Sequence, residues 1–215
     1  MSVLGVWVIG TVTKEQIRDL PRVAARMSPR ARKPAVTEAS GELGWWRTKA
    51  HESLFSASKT VPGRWSANDD AFRLNAFFDS CGDDSDQAEE LRDAVMDLFP
   101  PEGSEGFFAA VARKASPFSA LAYTLGPDAT LQLPGWFGDF LLDADEVPAL
   151  LPAAESALAL TGTPRLDAVG RIQAWLTGLG DAPDFDANEL LDGPLRVLRH
   201  AARTGQGAAG QVRWY

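Results

Sequence analysis

The sequence predicts an α+β fold: a helix-rich single domain with a small, mostly antiparallel sheet. Three observations predict it. The chain opens on an apolar run of strand character, several later segments carry apolar residues at helical spacing behind cap signals, and short apolar stretches in the second half are bounded by turn residues.

The opening Met1–Gly10 is apolar and lacks the basic flank of a signal peptide, so it reads as a buried strand. Thr13-Lys-Glu-Gln16 then has the form of a capping box, with Ile17, Leu20, Val23 and Ala24 at helical spacing and Pro21 as a kink or a new first turn. Residues 28–37 hold two prolines without apolar periodicity and read as a loop, while 41–65 follow neither period and receive no assignment. Ser66–Asp69 leads a second capped helix through Ala71, Leu74, Phe77 and Phe78. Asp83–Asp86 leads the clearest amphipathic helix, through Ala88, Leu91, Ala94, Val95, Leu98 and Phe99, ended by Pro100-Pro101.

Residues 106–115 read as a short helix. Ala120–Leu125 and Thr130–Leu133 read as a hairpin around Gly126-Pro-Asp, and Phe137–Leu142 as a further strand. Helices follow from Asp143–Glu146 through Leu158, kinked at Pro152, and from Leu166 to Leu179. A last one runs from Leu191 to Ala202, interrupted at Gly193-Pro194 and stopped by Gly205–Gly210, with Gln211–Tyr215 as a terminal strand.

With 215 residues, 45% hydrophobic and 23% charged, the chain has the composition of a globular protein that needs no structural staple, and its one cysteine forms no internal bridge. It reads as one domain over 1–215, with a charge contrast near residue 65 as the one hint of a subdomain boundary. No stretch approaches the ~18 apolar residues of a membrane span, so the cytoplasm is the expected address. Abundant Ala, Gly, Arg, Asp and Pro fit a bacterial chain of high GC content. The net charge is −8 and unevenly spread: residues 1–65 hold eleven basic and five acidic side chains, residues 66–105 two basic and twelve acidic. That balance argues against nucleic acid and leaves an acidic face for a basic protein partner.

Short motifs carry little chemistry. Gly205-Gln-Gly-Ala-Ala-Gly210 has the literal glycine pattern of a dinucleotide-binding turn, but it follows a helix at the chain end and reads as a helix stop. Ser56-Ala-Ser-Lys59 lacks the companion motifs of the penicillin-recognising enzymes. Asp79, Asp83, Asp84 and Asp86 could ligate a hard cation, yet acidic residues at a helix start first complement its dipole; no metal or cofactor is expected. His51 and His200 are the only histidines, and no catalytic constellation with Cys81 or a serine is visible. Of the seven tryptophans, the adjacent Trp45-Trp46 must point in different directions, so one of them is a candidate for a pocket together with His51.

Ser2–Ile9 leading into Thr13–Leu20, with Phe140–Val147 and Leu195–Ala202, resembles the small uncharacterised bacterial domain family typified by YfbM. The resemblance implies an α+β domain without an assigned activity and transfers no functional residue.

The functional expectation is a non-catalytic binding protein of immunity or accessory type, holding a basic partner through Asp83, Asp84, Asp86, Glu89, Glu90 and Asp93. The alternatives are an enzyme or small-ligand binder with a Trp/Phe-lined pocket, and a self-associating structural component.

Overall fold

The computed structural model of the chain describes residues 3–20, 40–50, 52–61, 64–82, 86–180 and 186–215. In chain order the first half gives strand β1 (Leu4–Val12), helices α1 (Lys14–Asp19) and α2 (Ser40–Lys49), strands β2 (Phe55–Ala57) and β3 (Trp65–Ala67), and helices α3 (Asp69–Ser80) and α4 (Asp86–Met96). The second half gives β4 (Phe107–Arg113), α5 (Pro117–Thr130), β5 (Phe140–Leu142), α6 (Glu146–Leu158), α7 (Gly162–Leu179), α8 (Glu189–Thr204) and β6 (Gly207–Trp214). The fold is α+β: four strands form an antiparallel sheet in the order β4–β1–β6–β5, and β2–β3 form a separate hairpin.

Strand pleating divides the sheet into two apolar faces. Trp7 lies opposite Ala110 and Val212, and Ile9 opposite Phe108 and Gly210. These side chains join the large core that α2, α3 and α5–α8 build on one face. On the other face Val12, Leu141 and Ala209 meet Leu91 and Val95 of α4, with Ile17, Leu20 and Phe99 at the margin. A thin helical layer therefore covers one side of the sheet and a thick one the other.

Local chemistry explains most element ends. Thr13 and Gln16 make the full capping box, with Thr13 N–H donating to Gln16 Oε1 at 2.7 Å and Gln16 N–H to Thr13 Oγ1 at 3.2 Å. α1 nevertheless stops at Asp19, with Leu20 already extended before Pro21. Val23, Ala24 and the expected 28–37 loop lie outside the described residues. Asn68 caps α3, accepting from Ala71 N–H at 2.9 Å, and the helix buries the expected Ala71, Leu74, Phe77 and Phe78. α4 ends at Met96, so Leu98 and Phe99 pack from the turn that follows it.

Several expectations need correction. Residues 106–115 are not a helix but contain β4, where Phe108, Ala110 and Ala112 are buried between more exposed neighbours. This period of two is a strand's, and the alanines disguised it. The hairpin expected over Ala120–Leu125 and Thr130–Leu133 is instead α5. Ser116 caps it with Pro117 in its first turn, and Gly126, at φ 77 and ψ 170, breaks it before Pro127 starts a last turn. The Gly-Pro signal marked a real break, but between two helical pieces. Nearly every side chain of Pro117–Tyr123 is buried, so the helix lies inside the core and has no polar face to display its period. Finally, α8 runs on through Gly193-Pro194, and Phe137–Leu142 yields a strand only over Phe140–Leu142, after Phe137 at φ 47.

At the far end Gly205 closes α8 in the left-handed conformation, φ 66, but the terminal strand expected at Gln211–Tyr215 already starts at Gly207, so Gly207–Gly210 pair with β1 and are not part of the helix stop. No helix among the described residues is long and apolar enough to cross a membrane.

Candidate functional site

Where the carboxyl end of α3 meets the amino end of α5, a cleft of about 390 Å³ opens beside α4 and the last residues of β6. Phe78, Phe118, Phe137, Val212 and Trp214 give it apolar walls. Arg92, Arg213, Ser116, Ser119 and Asp139 supply polar groups, with Asp79 and Cys81 at the α3 end. Phe137 owes its place to the tight turn Trp136–Asp139, closed by the Trp136 N–H donating to the Asp139 carbonyl at 2.9 Å and the reverse bond at 3.1 Å. Behind this wall Trp46 packs on Phe78, with ring centroids 5.0 Å apart. The wall is thus backed by the core and not by solvent.

The polar side is organised by two arginines whose side chains are only 7–8% exposed. Arg92 donates to Glu89 Oε2 at 3.2 Å and to Asp139 Oδ2 at 3.3 Å. Asp139 is itself held, because its Oδ1 accepts the Val212 N–H at 2.8 Å. Arg213 gives Nη2 both to Glu89 and to Asp93 Oδ1, the latter at 2.7 Å, and its buried Nε has no hydrogen-bond partner. A buried guanidinium is stable only when paired in this way. Burial alone would lower the pKa of Arg213, but hydrogen bonds to Glu89 and Asp93 outweigh it and hold the value above the arginine norm. Hydrogen bonding to Arg213, reinforced by the charges of both arginines, holds Glu89 below the usual carboxylate range.

Ser116 and Ser119 are almost wholly buried at the start of α5. The Ser116 hydroxyl accepts from the Ser119 N–H at 3.4 Å as the helix cap, whereas the Ser119 hydroxyl has no partner among the described residues. The Phe118 N–H lies in the first turn, where the helix offers it no acceptor. Burial, with the charge of Asp79, pushes the Cys81 thiol up to about 12, so it stays protonated at neutral pH and is a poor nucleophile.

The residues expected to form sites fall in different places. Glu89 and Asp93 are turned to Arg213, while Asp86 and Glu90 are exposed on α4; Asp83 and Asp84 lie outside the described residues. Trp46 is core, 1% exposed, and half-buried Trp45 lies under Arg73 at 4.0 Å from the ring centroid; neither lines the cleft. His51 lies outside the described residues. His200 meets Glu105 at 3.1 Å on the surface of α8, beside Arg203. Ser56 and Lys59 are exposed in β2 and its turn, not one helical turn apart. Among the described residues no three His, Cys, Asp or Glu side chains converge on a metal position.

Sequence reasoning missed Arg92, Arg213, Ser119 and Phe137. Arg92 left a usable signal: it falls four residues after Ala88 and three before Val95, inside the buried stripe of α4. Ser116-Pro117 was likewise a readable helix start. Arg213 left none, since a charged residue alternating along a terminal strand ordinarily marks its solvent face. No family model, curated protein or solved structure matches the chain.

Proposed function

We propose that this chain is a non-catalytic binding protein that holds a small organic molecule in the cleft at the amino end of α5. One observation carries the reading: a concavity of about 390 Å³ in which an aromatic wall faces buried, convergent polar side chains. Small-molecule sites combine these features at volumes of roughly 300–1,000 Å³. Catalysis finds little support in the lining. The Cys81 thiol is protonated, the Ser116 hydroxyl is used as a cap, and no described histidine lines the cleft. Thermal unfolding of the full chain against a chemically broad fragment panel tests the reading. A ligand present at 100 times its Kd should stabilise the fold by about 2.7 kcal/mol. Val212→Trp, which fills the cleft, should abolish that gain; a gain that survives it would place binding elsewhere.

A second reading rests on Asp86 and Glu90, exposed on α4 with no ion pair among the described residues. They are available to a basic protein partner in a way that Glu89 and Asp93 are not. Reversing both charges should weaken capture of such a partner and flatten its salt dependence; unchanged binding would end this reading.

A further inference from the structure

Resting on the cleft as a ligand site, we propose that its ligand presents an oxyanion, a carboxylate or phosphate monoester carried on an apolar body, to Arg213, Ser119 and the first turn of α5. The direction of the unused hydrogen bonds carries the inference. Every carboxylate bordering the cleft is already engaged: Glu89 by both arginines, Asp139 by Arg92 and the Val212 N–H, Asp93 by Arg213, and Asp79 by Asn75 Nδ2 at 2.8 Å. The donors are not. Arg213 uses only Nη2, leaving Nη1 and the buried Nε without a protein partner among the described residues. The Ser119 hydroxyl is also unpartnered, in a residue 4% exposed that lines the cleft. A group that complements this set must accept hydrogen bonds.

The pairing of the charges, and not their sum, bears on the same ligand class, because Asp79, Glu89 and Asp139 outnumber Arg92 and Arg213 in the lining. A cation approaching Glu89 or Asp139 would have to compete for that carboxylate with a guanidinium that is nearly buried. An oxyanion breaks no such pair, since it takes the Nη1 N–H groups of Arg213 that no carboxylate uses and the positive end of the α5 dipole. The α5 terminus alone would not define a site. Two side chains more than nine-tenths buried, each with unsatisfied donors, border the same space. The apolar body follows from the opposite wall of Phe78, Phe118, Phe137 and Val212, which offers a ligand surface and no hydrogen bond.

Titration calorimetry on the full chain, with four probes of shared shape, tests this: phenylacetate, phenyl phosphate, phenylacetamide and phenethylamine. One of the two oxyanions should bind about tenfold or more tighter than the amide, the amine should bind weakest, and the ratio of the two oxyanions identifies the head group. Ser119→Ala, a small change at a helix start, should weaken the preferred oxyanion about five- to tenfold while leaving the amide unchanged. Arg213→Gln should weaken it further; because that change also releases Glu89 and Asp93, Ser119→Ala is the decisive variant. Amide or amine binding as tight as either oxyanion, or equal loss of all probes in Ser119→Ala, overturns the oxyanion assignment and leaves the cleft as a ligand site. Binding of no probe overturns both.

Discussion

Glu89 joins two arginines that the fold has taken out of water, and its chemistry sets how the cleft responds to acid. Hydrogen bonding to Arg213 lowers its pKa in the folded chain. The stability it contributes is therefore complete above the unfolded carboxylate value of about 4.3, and is lost as pH falls through the lower folded value. Its side chain is 54% exposed, so solvent screening keeps the contribution near that of a surface pair. Glu89→Gln is expected to cost about 1 kcal/mol in urea unfolding at neutral pH, with the gap to the parent chain narrowing as pH falls below the unfolded carboxylate value and the parent's glutamate protonates. A gap of constant size across that range would show that packing, not charge, is what the substitution removes. Arg92 was missed although its place in the α4 stripe left a signal, whereas the pairing of Glu89 with Arg213 joins residues 124 apart in the chain. No local pattern records a contact of that length.

At the scale of elements, α8 and β4 illustrate how packing overrules propensity. Gly193-Pro194 reads as an interruption because glycine costs about 1 kcal/mol and proline about 3 kcal/mol in a helix interior. α8 continues through them because a side chain at 193 would overlap the ring of Phe108, a buried residue of β4, so glycine permits the helix to lie close on the sheet. Gly193→Ala should therefore destabilise by about 1–3 kcal/mol despite its better helix propensity. Gly170→Ala in α7, where the new methyl meets nothing, should stabilise by up to about 1 kcal/mol. Denaturant midpoints of the two variants check this, and parallel shifts in one direction would refute the packing account. The helices with one wet face, α3 and α4, were legible from their period. α5 was not, because its first two turns are surrounded by core and show no polar side.

Over the whole molecule, the central strand β1 feeds both apolar layers, and the cleft forms where those layers meet at one end of the sheet. Composition, the capping box at Thr13, the stripes of α3 and α4 and the terminal strand were properties of the sequence alone, each resting on neighbours within a turn or a few residues. They were sufficient for a helix-rich α+β fold with a small antiparallel sheet. Tertiary structure decided that 107–113 is a strand, that 117–130 is helical, and that Arg92, Arg213, Ser119 and Phe137 border one cleft. The physical reason is the same in each case. Alanine-rich and all-apolar segments have no strong local preference, so burial chooses their conformation, and a site assembled from the ends of four elements exists only once the sheet has brought those ends together.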